Sequence, residues 1–230
     1  MNTKFLSALT ATAAATALFS AAAPAQAASF GIGGISFAQD TAVKFSFRET
    51  HGMNQSALGI YTVNNSLASL VAPLFAETKK SDRGRLDEWK GTLGNTVLGS
   101  GEVVFTFLAN QVYTLGLDSG SQGTVFSTSA LNSRGRQQAV FGDTSVGNAL
   151  SLDTTSNFKA AGDYANGFSA LFNGGALISF DDGGNGNDKD FQDFTVAAEA
   201  VPEPMTMTGL ALGLGGLVAA RRRRGSKTAS

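Results

Sequence analysis

Val43, Phe45 and Phe47 alternate with Lys44, Ser46 and Arg48, and this two-residue period constrains the fold more than any other feature of the chain. Successive side chains of a strand point to opposite faces, so the pattern places an apolar row on a core and a polar row in water. The period recurs where Val103, Phe105 and Phe107 alternate with Glu102, Val104 and Thr106. Tyr113, Leu115 and Leu117 follow after a turn at Ala109 and Asn110, and the two runs read as a hairpin. Leu58, Ile60 and Val63 mark a weaker strand, with further candidates at 139–141, 150–152, 177–180 and 194–197. Helical signal is sparse. Residues 66–76 read as a short helix that Pro73 would cut, and 160–172 has no decisive period. Many short strands between Gly-rich turns predict an all-β domain over 28–197, an antiparallel β-sandwich or jelly roll.

The chain contains no cysteine, so neither disulfides nor thiol chemistry can contribute, and stability must come from core, backbone ladders or metal. Six of the 17 Lys and Arg (Lys4, Arg221, Arg222, Arg223, Arg224, Lys227) and one of the 18 acids (Glu203) lie outside residues 28–200. That stretch therefore carries 11 cations and 17 acids, a net charge of −6, which disfavours nucleic acid and suits cations. Residues 79–90 form a charged loop around Trp89, read as a solvated loop or as a contact surface for an anionic glycan.

The most chemically suggestive stretch runs from Ile178 to Phe194. Asp181, Asp182, Asp188, Asp190 and Asp193 fall within thirteen residues, with Asn185, Asn187 and three glycines among them. Calcium takes six to eight hard oxygen ligands, and glycines let the backbone curl so that oxygens converge. These five aspartates are the candidate calcium ligands, with a dissociation constant around 10⁻⁴–10⁻³ M expected for an extracellular module. The alternative is a metal-free hairpin tip whose aspartates cap turns in solvent. Neither the repeated nonapeptide of calcium β-rolls nor the EF-hand spacing is satisfied.

Phe180-Asp181-Asp182, the loop 183–187, and Asp188-Lys189-Asp190-Phe191-Gln192-Asp193 resemble the end of a calcium-associated domain of bacterial surface proteins. The stretch Val43 to Tyr61, with Leu58-Gly59-Ile60-Tyr61, is similar to that domain's start. Gln192 stands where the family has Asn. The resemblance implies a β-rich extracellular module without a known reaction.

Both ends of the chain read as addresses. Lys4, an Ala-rich uncharged run and Pro24 precede Ala25-Gln26-Ala27, an A-x-A signal-peptidase site, which gives a signal peptide over 1–27. In the tail, 198–230, Pro202, Glu203 and Pro204 precede an apolar run, 205–220, and then the arginine block Arg221, Arg222, Arg223 and Arg224. Sixteen helical residues reach about 24 Å, short of a ~30 Å hydrocarbon core, and the arginines stop transfer on the cytoplasmic side. These elements resemble the PEP-CTERM sorting signal of diderm bacteria. That resemblance implies export, transient anchoring in the inner membrane by a transmembrane helix, recognition and cleavage by an exosortase, and release to the cell surface or extracellular matrix. The other expectation is a permanent single-pass anchor.

Chemistry is poorly represented. His51 is the only histidine, no G-x-S-x-G elbow occurs, and multi-histidine zinc is impossible. Glu49 with His51, or a pair among Glu49, Glu77, Glu88 and Glu102, remains as a remote hydrolase arrangement. The sequence thus points to a non-enzymatic surface protein, structural or adhesive and associated with exopolysaccharide or biofilm. A calcium-dependent carbohydrate-binding module is the alternative and a secreted polysaccharide hydrolase the remote one.

Overall fold

The computed structural model describes residues 28–80, 91–143, 165–183 and 191–202. The strands are β1 (Ser29–Gly31), β2 (Gly34–Ser36), β3 (Thr41–Thr50), β4 (Ala57–Asn64), β5 (Leu67–Ala76), β6 (Glu102–Phe107), β7 (Tyr113–Asp118), β8 (Thr124–Phe126), β9 (Ala139–Asp143), β10 (Ala176–Phe180) and β11 (Phe194–Ala200). A short α-helix, α1 (Phe168–Phe172), precedes β10. The strands form two antiparallel sheets, one ordered β1-β2-β7-β4-β5 with β8 on β7, the other β6-β3-β11-β10-β9. The domain is all-β and sandwich-like. Among the described residues no helix is long and apolar enough to cross a membrane. Residues 1–27, 205–220 and the arginine block lie outside the described residues, as do 81–90 with Trp89 and the candidate strand at 150–152.

The period-two rows do what alternation dictates. Val43, Phe45 and Phe47 are buried from β3, and Leu115 and Leu117 from β7 meet them in one core with Phe30, Phe141, Phe180 and Phe194. Two expectations are corrected. The runs around Phe107 and Tyr113 are not a hairpin, because β6 pairs β3 while β7 pairs β4 in the other sheet. The chain crosses between sheets at 108–112, held by Ala109 N donating to Asp40 Oδ1 at 2.8 Å and Asn110 N to Phe37 O at 2.9 Å. Both runs face the same core from opposite sides, and the Phe107 and Tyr113 rings meet edge to face at 5.0 Å.

The stretch 66–76 is not a helix: Ser66 lies in a turn and Leu67–Ala76 form strand β5. Asn65 (φ 51°) and Ser66 (φ 64°) are consecutive left-handed residues, the backbone of a two-residue hairpin turn that sends β5 back along β4. Leu and Ala favour helix only weakly, and pairing with β4 overrides that preference. Pro73 is accommodated because β5 is the last strand of its sheet.

Register at one end of the second sheet positions the acidic loop. Ala139, Phe180, Phe194 and Thr50 form one row across β9, β10, β11 and β3. The next row outward holds Gln138, Asp181, Asp193 and His51. Asp181 N donates to Gln138 O at 3.1 Å, and His51 N donates to Asp193 O at 3.1 Å.

Candidate metal centre

Asp181 leaves β10 and Asp193 enters β11, so the antiparallel pairing of Phe180 with Phe194 places them opposite each other at the mouth of the loop. Phe180 and Phe194 point into the core, which turns the adjacent Asp181 and Asp193 to the other face of the sheet. Asp182 completes the group. All three are buried, and one carboxylate oxygen from each lies within 4.8 Å of the others.

Hydrogen bonds fix each carboxylate. Asp193 Oδ2 accepts the backbone N–H of Asp182 at 2.7 Å, and Asp181 Oδ1 accepts that of Gly183 at 2.7 Å. Asp182 Oδ2 accepts Asn54 Nδ2 at 2.8 Å. A carboxylate carries lone pairs on two oxygens, and these bonds fix the orientation of each group. Gly183 sits at φ +72°, a left-handed conformation that glycine adopts without strain. Gly52 lets the β3–β4 connection approach, since a Cβ there would lie 3.1 Å from Asp182 Oδ2 and 3.3 Å from Asp193 Cβ.

The arrangement fits a hard divalent cation. Calcium–oxygen distances of roughly 2.3–2.6 Å allow oxygens on one ion to lie up to about 5 Å apart, and the three oxygens here lie within 4.8 Å of one another. The side-chain donors are all oxygen, which suits calcium or magnesium and not the softer metals. A divalent cation among three buried carboxylates would offset their mutual repulsion.

Asp181, Asp182 and Asp193 are thus brought together, while Asp188 and Asp190 lie outside the described residues. For the three described aspartates, a solvated hairpin tip is not what the fold builds, because all of them are buried. Sequence reasoning missed Asn54, Gly52 and Gln138. A glycine directly after the single histidine was the only local sign of a close approach there. Of the glutamates considered for hydrolysis, Glu77 is buried and accepts Ser56 N–H at 2.9 Å, while Glu49 and Glu102 lie on neighbouring strands of the second sheet. Glu88 and the remaining tail residues, Glu203, Pro204 and Arg221 to Arg224, lie outside the described residues, whereas Pro202 is described and exposed.

A shallow groove of about 420 Å³ lies on the outer face of the second sheet, lined by Lys44, Ser46, Arg48, Glu102 and Glu199 among others. Lys44 Nζ bridges Glu102 at 3.8 Å and Glu199 at 3.5 Å. No family model matches the chain, and no match is found among the curated proteins or the solved structures.

Proposed function

We propose that this chain is an exported surface or extracellular-matrix protein whose sandwich-like domain is a structural or adhesive module stabilised by calcium. The observation that carries the reading is the burial of Asp181, Asp182 and Asp193 with their oxygens within 4.8 Å of one another. A cation there ties the ends of β10 and β11 to the β3–β4 connection through Asn54 and His51. In calcium-rich surroundings it stabilises the folded state by mass action. The addresses at the two ends supply the destination: signal peptidase cutting after Ala27, then an exosortase acting on the Pro202-Glu203-Pro204 tail. On this reading the domain holds or adheres, with exopolysaccharide as its associate, and carries out no reaction.

Two measurements test the halves separately. For the domain, thermal unfolding in 1 mM calcium is expected about 3–6 °C above that in chelator, the shift that ~1.4 kcal/mol gives at ten times the dissociation constant. An unchanged midpoint removes calcium from the account. For the address, the intact mass of protein recovered from outside the cell is expected to lack 1–27 and the tail beyond the Pro-Glu-Pro. Recovery of the tail uncut in cells that contain the exosortase removes the sorting half.

A second reading, calcium-dependent carbohydrate binding, is favoured by the groove beside Lys44, whose paired charges and Ser46 hydroxyl offer both donors and acceptors to sugar hydroxyls. Binding of neutral and acidic polysaccharides to the purified protein, with and without calcium, separates this from a purely structural role.

A further inference from the structure

We infer that Gln138 supplies a fourth oxygen to the cation site, as a neutral ligand reaching it from the position just before β9. This rests on the reading that Asp181, Asp182 and Asp193 hold calcium. It adds a residue that lies far from the acidic loop in the chain.

Gln138 is 3 % exposed, and its Oε1 is buried with no hydrogen-bond partner among the described residues. A buried amide oxygen without a donor costs free energy, and native structures rarely leave one so. The amide cannot relieve this by turning over, because Nε2 is committed to the main-chain oxygen of Asp181 at 3.3 Å. Register sets the direction of the side chain. Ala139 pairs Phe180 and both face the core, so Gln138 and Asp181, one residue further along their strands, share the opposite face. With Nε2 on the Asp181 main-chain oxygen and 3.7 Å from where a Cβ on Gly183 would stand, the Gln138 amide lies at the mouth of the acidic loop. An acceptor-only atom in that place calls for a donor or a cation, and the neighbouring carboxylates accept as it does. Amide oxygens are ordinary calcium ligands and add no charge to a site that already holds three.

The test is the calcium affinity of the purified mature chain, read by competition with a chelating dye, for the wild type, Gln138→Met and Gln138→Glu. Gln138→Met keeps length and apolar bulk and removes the oxygen; calcium affinity is expected to fall about tenfold. Gln138→Glu keeps the oxygen and adds a charge. It is expected to bind calcium more tightly than wild type and to melt lower in chelator. If Gln138→Met does not fold, the opposed signs in Gln138→Glu carry the test alone. Wild-type affinity in the variants that fold, with calcium bound by the wild type, assigns the amide oxygen to an ordered water and overturns the inference while the three-aspartate site stands. A wild-type chain that binds no calcium overturns both.

Discussion

The backbone N–H of Asp182 donates to the carboxylate of Asp193 at 2.7 Å, closing the mouth of the β10–β11 loop across eleven residues of chain. The bond holds the Asp193 carboxylate toward Asp181 and Asp182, with one oxygen of each of the three within 4.8 Å of the others.

Asp193→Asn separates charge from geometry. The asparagine oxygen can still accept the Asp182 N–H, so the hydrogen bond survives while one negative charge is lost. In calcium the variant is expected to melt several degrees below wild type. In chelator the order reverses, because relief of like-charge repulsion remains and the ligand loss no longer matters. Melting curves in both buffers check this, and a variant that is less stable in both refutes the electrostatic account.

Gly52→Ala probes the approach of the β3–β4 connection. The new methyl would stand 3.1 Å from Asp182 Oδ2, so the carboxylate or the loop must move. A cost of about 1–3 kcal/mol is expected for such crowding, together with weakened calcium binding. Calcium titration of the variant measures it, and wild-type affinity would mean that the glycine is not required by the site.

Phe107→Ala tests how the sheets are joined. Phe107 is fully buried, and its ring lies 4.9 Å from Phe105, 5.0 Å from Tyr113 and 5.5 Å from Phe37. Truncation is expected to cost about 3–5 kcal/mol and lower the melting temperature by roughly 10 °C or more. Denaturant unfolding gives the number, and a loss under 1 kcal/mol would contradict the packing described.

Tyr61 gives a pH dependence. Its ring packs edge to face on Phe126 at 5.4 Å and lies on Gly116, where a Cβ would come within 2.6 Å. Burial, with Asp118 adding to it, raises its hydroxyl above the ordinary value of 10.0. The unfolded chain therefore ionises first. Stability from Tyr61 is complete below pH 10 and falls as the pH rises through the folded value. Tyr61→Phe is expected to flatten that fall between pH 9 and 11 in denaturant titrations.

What could be read from the chain was local. Alternation located β3, β6 and β7 and their buried faces, since each residue's face depends only on its neighbours. Pairing did not follow, because nothing near 108–112 records that Phe107 and Tyr113 belong to opposite sheets. The short β1, β2 and β8, of three residues each, are too brief to show a period. β5 was hidden by Leu and Ala, whose helical preference yields to β4. In the site, Asp181, Asp182 and Asp193 were legible from acidic crowding among glycines. Asn54 and Gln138 were not, since register brings them in from 128 and 43 residues away.

Equilibrium dialysis of the purified protein against about 1 mM calcium tests the central claim most directly, comparing wild type with the Asp181→Asn, Asp182→Asn, Asp193→Asn triple variant. The account predicts that wild type retains one ion per chain at this site and that the triple variant loses it. No calcium retained by wild type, or equal amounts retained by both proteins, would contradict it.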